Sequence, residues 1–153
     1  MDTVRIVQDD FNPAEEISRL TRANKSMGAV VSFIGTMRDM NEGSQVSSMT
    51  LEHYPGMTEK ALLQIVREAR EKWVLGEVTV IHRVGLINPA DSIVLVAVSS
   101  THRGEGFDAC EYIIDFLKTR APFWKKEVTE NGERWVDARD SDDDAVTHWQ
   151  QGQ

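Results

Sequence analysis

Residues 93–99 read Ile-Val-Leu-Val-Ala-Val-Ser and begin with the longest apolar run in the 153-residue chain. A short, continuous run of aliphatic residues predicts a strand that is buried on both faces of a sheet. Its six apolar residues are far fewer than the roughly 20 that a membrane-spanning helix needs. We therefore expect a buried strand here and no membrane partner.

Helical patterns lie on both sides of this strand. Residues 12–15 (NPAE) place Asn at an N-cap, Pro in the first turn and Glu at the capping-box position, so a helix should extend to about Asn24. Apolar residues at helical spacing predict a second helix over residues 61–74. Pro122 should end a third helix near Arg120. That helix is predicted from residues spaced by three, four and three positions: Phe107, Cys110, Ile114 and Leu117.

Val4 and Ile6 predict a short first strand, and the remaining strands are predicted from apolar or alternating segments. Residues 28–37 are apolar and β-branched, and residues 46–54 alternate. We expect these two strands to pair with each other across a loop at residues 38–44. Residues 78–82 also alternate, and a turn should follow them at residues 85–91.

Asn131-Gly132 predicts a two-residue hairpin turn between strands over residues 123–130 and 133–138. The resulting order, β-α-β-β-α-β-β-α-β-β, predicts an α+β fold with a mostly antiparallel sheet and about three helices. We expect a single domain over residues 1–153. Its acidic C-terminal tail, from about residue 140, should be solvated.

The chain carries 25 Asp and Glu against 17 Lys and Arg, a formal net charge of −8. Such a surface repels phosphate backbones, so we expect no nucleic-acid partner.

The one cysteine, Cys110, excludes an internal disulfide and lies on the apolar stripe of the third helix, where a buried, inert thiol is the simpler interpretation. Residues 1–5 lack the features of a signal peptide. These observations predict a cytoplasmic protein.

Basic residues are concentrated in one segment of this acidic chain. Residues 118–126 (KTRAPFWKK) hold four cations and no acidic residue. Lys118 should end the third helix and Lys125 should begin the next strand, so a break at Ala121-Pro122 can return both ammonium groups to one pocket. Two adjacent aromatic rings offer a flat surface to a heterocycle. A structural role is the alternative, because the macrodipole stabilises cations at a helix C-terminus.

Two further groups are candidates for an anion site. Residues 99–104 (SSTHRG) lie between the buried strand and the third helix, where backbone N–H groups bind anions well. His102 can transfer a proton near neutral pH, and Arg103 can form a bidentate contact with a phosphate. A polar connecting loop is the alternative. With Arg38 at a strand end and the two lysines, these residues indicate an anionic substrate, few nearby carboxylates and an acid–base or nucleophilic lysine.

Motifs of metal and nucleotide sites are absent from the sequence. No histidine pair has HExxH spacing, and the chain contains no P-loop, GxGxxG motif or Gly-x-Ser-x-Gly elbow. His53 and His82 fall within strand patterns and are interpreted as half-buried structural residues. The sequence therefore predicts neither a metal site nor a cofactor.

One lysine of the basic segment should lie apart from the predicted pocket. Side chains alternate along a strand, so Lys126 should point away from Lys125.

Four segments of the chain are similar to those of a known family. They are residues 52–57 (EHYPGM), 82–85 (HRVG), 100–103 (STHR) and 117–127 (LKTRAPFWKKE). At these segments, and collinearly from about residue 4 to residue 145, the chain resembles the large, catalytic subunit of molybdopterin synthase. The last segment is long and specific.

The resemblance implies an α+β fold and a homodimer of large subunits. Each large subunit would bind one small, ubiquitin-like sulfur-carrier subunit, which gives a heterotetramer. The resemblance also implies a sulfurtransferase of molybdenum cofactor biosynthesis, in which cyclic pyranopterin monophosphate receives two sulfurs and becomes the dithiolene of molybdopterin. The sulfur would arrive as a thiocarboxylate on the carrier's C-terminal glycine, whose tail enters a pocket of the large subunit.

The resemblance assigns roles to individual residues. Lys118 and Lys125 match the family's catalytic lysines. Arg139 matches a residue that reaches the neighbouring subunit's pocket, although by itself it is a surface charge among Asp residues. Gly106 departs from the family, and by helix propensity this glycine weakens the helix start by about 0.5–1 kcal/mol. The positions that match substrate-binding residues are Thr36, Met37, Arg38, His102, Arg103, Lys126 and Glu127.

Residue chemistry alone leaves two other functions open. A non-catalytic module can use the same basic groove to bind an acidic or carboxylate-ended peptide. A phosphosugar or nucleotide hydrolase would need a metal or carboxylate constellation, which the sequence does not contain. A small-molecule product with two added sulfurs distinguishes the synthase from both.

Overall fold

The computed structural model describes residues 2–136 and 140–151, which form nine strands and four helices. The strands are β1 (Thr3–Val7), β2 (Ala29–Thr36), β3 (Met40–Asn41), β4 (Ser44–His53), β5 (Leu75–Arg83), β6 (Gly85–Ile87), β7 (Ser92–Ser100), β8 (Phe123–Thr129) and β9 (Gly132–Val136). The helices are α1 (Pro13–Ala23), α2 (Met57–Lys72), α3 (Arg103–Arg120) and α4 (Asp140–Gln151). The predicted α+β class is confirmed. No helix in the described part of the chain is long and apolar enough to cross a membrane.

Strand β7 lies inside a four-stranded sheet with the order β1–β5–β7–β2. Every residue from Val94 to Ser100 is buried, as predicted for a strand that is covered on both faces. β1 runs parallel to β5, and the other pairs in this sheet are antiparallel. Because side chains alternate along a strand, β7 contributes to two separate cores.

The two cores lie on opposite faces of this sheet. On one face, Leu20 of α1 packs with Leu95 and Ala97 of β7. On the other face, Val96 packs with residues of α2 and α3, including Cys110. Cys110 is 4 % exposed, and its thiol donates to the carbonyl of Val96 (Sγ–O 3.6 Å). Burial raises the pKa of the Cys110 thiol to about 12, which fits the inert thiol that its position predicted.

Local signals fix the ends of two helices where the sequence predicted them. The side chain of Asn12 accepts a hydrogen bond from the Glu15 N–H (3.3 Å) at the start of α1, which ends at Ala23. α3 ends at Arg120, directly before Ala121-Pro122. α2 begins at residue 57, four residues earlier than its apolar spacing predicted.

The second sheet has the order β3–β4–β8–β9, with β6 also paired to β4. Met49, Leu51 and Ile87 form the centre of its core. The predicted pairing of the strand over 28–37 with the strand over 46–54 is wrong, because β2 pairs with β7 whereas β4 pairs mainly with β8. Backbone hydrogen bonds hold the segment after β2 against the loop that joins β6 to β7. The chain therefore crosses to the second sheet before β4 begins.

The structure differs from the sequence predictions in two turns. The segment predicted as a turn at residues 85–91 includes β6, which pairs with β4. In the β8–β9 hairpin, Thr129 lies opposite Gly132, so the two connecting residues are Glu130 and Asn131. The hairpin prediction is therefore correct in kind and displaced by one residue.

The acidic C-terminal segment contains a helix that the sequence pattern did not reveal. Asp143 and Asp144 are exposed, as expected for a solvated segment. Val146 and Trp149 of the same helix pack against the main core, and the indole of Trp149 donates to Asp115 of α3 (2.7 Å). Helix α4 is therefore attached to α3.

Gly106, in the first turns of α3, is buried against the first sheet. A Cβ atom added there would lie 2.8 Å from Ser100 Oγ and 2.9 Å from Val31 Cγ2. The Ser100 hydroxyl is held in place by its hydrogen bond to the His102 carbonyl (2.7 Å). Close packing, rather than helix propensity, therefore accounts for glycine at this position.

We predict that Gly106→Ala lowers the free energy of unfolding by about 1–3 kcal/mol, because the added methyl overpacks the helix–sheet contact. Gly104→Ala is the matched control, since nothing lies within 4 Å of a Cβ atom at that position of the same helix. This control should be neutral or stabilising by up to about 1 kcal/mol. Urea unfolding of both variants measures the difference, and stabilisation by both would contradict the packing argument.

Candidate active site

A cavity of about 270 Å³ lies where the two sheets meet the C-terminal end of α3. The first sheet contributes the end of β2, the start of β7 and His82 from the end of β5. The second sheet contributes β4 and β8. Leu51 lies opposite Lys125 and Met49 lies opposite Glu127, so these side chains share one face of the sheet and line the cavity together.

The cavity brings together Lys118 and Lys125, the two candidate catalytic residues. Lys118 lies in the last turn of α3 and is exposed, whereas Lys125 lies in β8. The chain reverses between them at Pro122, whose carbonyl accepts a hydrogen bond from the hydroxyl of Thr58 (3.0 Å). Thr58 is completely buried. This anchored turn places both ammonium groups on the same side of the chain reversal.

The segment after β2 forms another wall of the cavity. Thr36, Met37 and Arg38 all line it. The N–H of Met37 donates to the Asp91 carbonyl (3.0 Å), and the carbonyl of Met37 accepts from the Ala90 N–H (2.9 Å). The Met37 side chain is buried in the core of the second sheet, whereas Arg38 is exposed. The segment therefore presents a guanidinium from a backbone that is fixed on both sides.

Two carboxylates also line the cavity, so the expectation of few carboxylates near the lysines is wrong. Glu127 is two residues after Lys125 and, by strand alternation, lies on the same face. It accepts hydrogen bonds from Asn41 (3.0 and 3.2 Å) and from Arg134 (3.1 and 3.2 Å). The guanidinium balances its charge. The second carboxylate, Asp142, comes from α4, which the sequence did not predict.

His82 is a cavity residue that sequence reasoning assigned to structure alone. It is 5 % exposed, and its ring stacks on Phe123 with centroids 3.9 Å apart and planes 17° apart. Nδ1 lies 2.8 Å from the carbonyl of Arg83, so Nδ1 carries the proton. Burial, together with the charges of Lys118 and Lys125, lowers the pKa of His82 to about 4. The imidazole is therefore neutral at physiological pH.

His102 and Arg103 do not line this cavity. His102 is the N-cap of α3 and Arg103 is its first residue, whereas Lys118 lies at the other end of this 18-residue helix. At a rise of 1.5 Å per residue, Arg103 is about 22 Å from Lys118 along the helix axis. Within one chain, helix α3 therefore separates His102 and Arg103 from Lys118, although the sequence predicted one cluster of these residues.

Two further candidates lie elsewhere. Lys126 does not line the cavity, and its ammonium lies 3.5 Å from the carboxylate of Glu133 and 5.7 Å from the ring centre of Trp135. These contacts are on the outer face of β8, where alternation placed them. Arg139 falls outside the described residues, so its predicted reach into a neighbouring subunit remains a prediction.

The arrangement suits an anionic ligand. Two ammonium groups and one guanidinium face a cavity whose other walls include Met49 and Leu51, and a partly apolar surrounding strengthens charge–charge attraction. Lysines in such a site can stabilise developing negative charge and supply protons. Fold and cavity together describe an α+β protein with a cationic candidate active site.

Comparisons with known proteins identify the family. The model of the MoaE protein family matches residues 6–120. The molybdopterin synthase catalytic subunit of Ralstonia nicotianae is 58% identical over 149 residues, which cover 97% of this chain and 85% of that protein. The MoaE protein of Burkholderia ambifaria has a similar structure (TM-score 0.84, 51% identity, 98% of this chain and 99% of that chain). Molybdopterin synthase of Staphylococcus aureus is also similar (TM-score 0.79, 37% identity, 86% and 95%). The chain belongs to the MoaE family, which confirms the resemblance found in the sequence.

The titration of His82 should make stability depend on pH. The ordinary pKa of histidine is 6.5 and that of folded His82 is about 4, so the unfolded chain binds the proton first as pH falls. The free energy of unfolding should therefore decrease by up to about 3 kcal/mol between about pH 6.5 and pH 4. Above pH 6.5 this contribution is constant.

Urea unfolding between pH 4 and pH 8 tests this prediction. His82→Phe should remove the His82 component of the decrease, because phenylalanine keeps a ring against Phe123 and does not titrate. His148→Phe is the matched control, since it makes the same substitution at an exposed histidine of α4 that does not line the cavity. The same pH slope in the wild type and His82→Phe would show that His82 does not set it.

Proposed function

We propose that this chain is the catalytic subunit of a molybdopterin synthase, which transfers sulfur to cyclic pyranopterin monophosphate. The observation that carries this proposal is the placement of Lys118 and Lys125 in one cavity of a chain that belongs to the MoaE family. Arg38 supplies a guanidinium at the same cavity for the substrate phosphate. The proposed reaction needs no metal ion.

The proposed sulfur donor is the thiocarboxylated C-terminal glycine of a small, ubiquitin-like carrier subunit. Its extended tail would enter the cavity, where the lysines attract the negative thiocarboxylate. Holding donor and pterin together in one site lowers the entropic barrier to their reaction. Two copies of this chain and two carriers would form the heterotetramer.

In the proposed chemistry, the thiocarboxylate sulfur attacks an electrophilic carbon of the pterin side chain. A carbon–sulfur bond forms while a carbon–oxygen bond breaks, and the departing oxygen takes the electron pair. Water then cleaves the acyl–sulfur bond, which returns the carrier as a carboxylate and leaves sulfur on the pterin. A second carrier thiocarboxylate repeats the two steps at the adjacent carbon.

The cavity residues have distinct parts in these steps. Lys118 stabilises the developing oxyanion and supplies the proton that the departing oxygen needs. Lys125 assists from β8 and holds the thiocarboxylate. Glu127 keeps Asn41 and Arg134 in place around the cavity, since it accepts hydrogen bonds from both.

His102 and Arg103 can act on the same substrate only from a second copy of the chain. The separation of about 22 Å along α3 exceeds the reach of an arginine side chain. We therefore propose that these two residues, with Arg139, bind the phosphate region in the cavity of the neighbouring subunit. In this arrangement the homodimer is required for catalysis.

We predict that Lys118→Ala lowers turnover at least about 100-fold, because an electrostatic contact to the developing charge is lost. The assay combines the purified chain with thiocarboxylated carrier and the cyclic pterin, and mass spectrometry of the product counts the added sulfurs. Lys25→Ala, at an exposed position in the loop before β2, controls for loss of one positive charge. Two added sulfurs support the synthase, whereas carrier binding without product supports a binding module. Near-normal turnover by Lys118→Ala would remove its proposed role.

A mixing experiment tests whether Arg103 acts across the dimer. Lys118→Ala and Arg103→Ala should each be strongly impaired alone, the latter mainly through a higher KM for the pterin. Equal mixing after subunit exchange gives heterodimers in which one of the two sites combines an intact Lys118 with an intact Arg103. Activity should return to about one quarter of the wild type, because half of the dimers are mixed and each has one intact site. Mixtures that stay as inactive as the separate variants would place both residues in the same subunit's site.

We also propose that the reaction takes place in the cytoplasm. A single cysteine that remains a free, buried thiol is typical of proteins in a reducing compartment. Cell fractionation with an antibody to the chain tests this location.

A further inference from the structure

His82 has one ring nitrogen that its structural contacts do not use. Its hydrogen bond within the described part of the chain joins Nδ1 to the Arg83 carbonyl at 2.8 Å. Nε2 is therefore the unprotonated nitrogen, with a lone pair. The residue is 5 % exposed and lines the cavity, so its ring lies beside the space that the reactants would occupy.

The direction of this acceptor is fixed before any ligand binds. The stack on Phe123 holds the plane of the ring, and the bond to the Arg83 carbonyl fixes its rotation. A preorganised acceptor loses little conformational entropy when a donor arrives. The surrounding groups keep this lone pair unprotonated, because Lys118 from α3, Lys125 from β8 and His53 from β4 all oppose protonation of the ring.

Proton storage is not a suitable role for this nitrogen. With a pKa of about 4, only about one ring in a thousand carries a second proton at pH 7. The neutral lone pair is thus present throughout the physiological range. What it offers is hydrogen-bond acceptance.

The other polar groups of the cavity leave few acceptors for an N–H group of a ligand. Lys118, Lys125 and Arg38 are hydrogen-bond donors and serve the anionic parts of a ligand. Glu127 already accepts from Asn41 and Arg134, and Asp142 of α4 is the other carboxylate among the described residues that line the cavity. An N–H donor that enters this cavity loses its water, and a buried donor without a partner is costly.

We propose that Nε2 of His82 accepts a hydrogen bond from an N–H group of the bound reactants, which makes His82 a substrate-binding residue of the cavity. This inference rests on the proposed function. The donor is either a ring N–H of the pterin or a backbone N–H in the carrier's C-terminal tail. Both present the same chemistry to Nε2.

Two substitutions separate this role from simple packing. His82→Gln keeps an acceptor near the position of Nε2 and loses the stacked ring, whereas His82→Phe keeps the stacked ring and loses the acceptor. Both lose the hydrogen bond from Nδ1, so that loss cancels in the comparison. We expect kcat/KM to fall about 10- to 100-fold in His82→Phe and to stay within about threefold of the wild type in His82→Gln. If packing alone matters, the order of the two variants reverses, and that result overturns the proposal.

Titrating each reactant separately identifies the donor. A rise in KM for the cyclic pterin in His82→Phe assigns the donor to the pterin, and a rise in KM for the carrier assigns it to the tail. Thermal unfolding of both variants at pH 7.5 shows whether each is folded under assay conditions, and activity is compared per folded chain.

A direct readout comes from the imidazole nitrogens. In protein labelled with ¹⁵N-histidine, the unprotonated Nε2 resonance of His82 should move when the cyclic pterin or the carrier with its unreactive carboxylate terminus is added, and it should be missing in His82→Phe. A resonance that neither reactant moves overturns the proposal. Wild-type turnover and the Lys118→Ala variant are measured in the same assay. Failure of the wild type to form product refutes the proposed function, whereas wild-type-like activity of His82→Phe refutes only this inference.

Discussion

Burial of β7 on both faces is the constraint on which the rest of the structure depends. A strand with Val96 on one side and Leu95 on the other must be covered by separate layers, and α1 and α3 supply them. The helix that follows β7 is thereby held flat against the sheet over 18 residues. Its C-terminal end falls at the edge where β2 and β5 end and where the second sheet begins. The cavity forms there because three packed elements end at the same place.

Positive and negative groups line the cavity together. Lys118, Lys125 and Arg38 contribute its positive charge. Glu127 lines the same cavity and accepts hydrogen bonds from Arg134 and Asn41, so this buried carboxylate is paired and does not cancel the positive field of the lysines. The β8–β9 hairpin supplies both members of this ion pair, with Glu127 in β8 and Arg134 in β9.

Features encoded by neighbouring residues were predictable from the sequence. Local patterns predicted the burial of β7, the end of α3 before Pro122 and the return of the chain between Lys118 and Lys125. Features set by pairing between distant segments were not predictable. With the predicted turn, Glu127 would lie opposite Val136. The turn is displaced by one residue, so Glu127 lies opposite Arg134, and only the observed register reveals the ion pair between these two residues. His82 alternates with core valines along β5, so its pattern matched a structural residue until the second sheet was placed beside it.

The tail and the long helix show the same limit in other ways. Helix α4 has few apolar residues, and Val146 and Trp149 make its contact with the core. Because this apolar stripe is so short, the sequence of α4 resembles that of a solvated acidic tail. The separation of Arg103 from Lys118 follows directly from the length of α3, but sequence proximity of motifs had suggested a single cluster. The distance along a helix is therefore as informative as the residues at its ends about which side chains can share a site.

The burial of Cys110 has a consequence for the proposed reaction, which passes through an acyl–sulfur bond. Thioesters exchange readily with thiolates, and a reactive cysteine near the cavity would divert the carrier onto the protein itself. With a pKa of about 12, only about one Cys110 thiol in 10⁵ is ionised at pH 7, and its sulfur is enclosed between α3 and β7. The chain's single thiol therefore does not compete with water for the acyl group of the carrier.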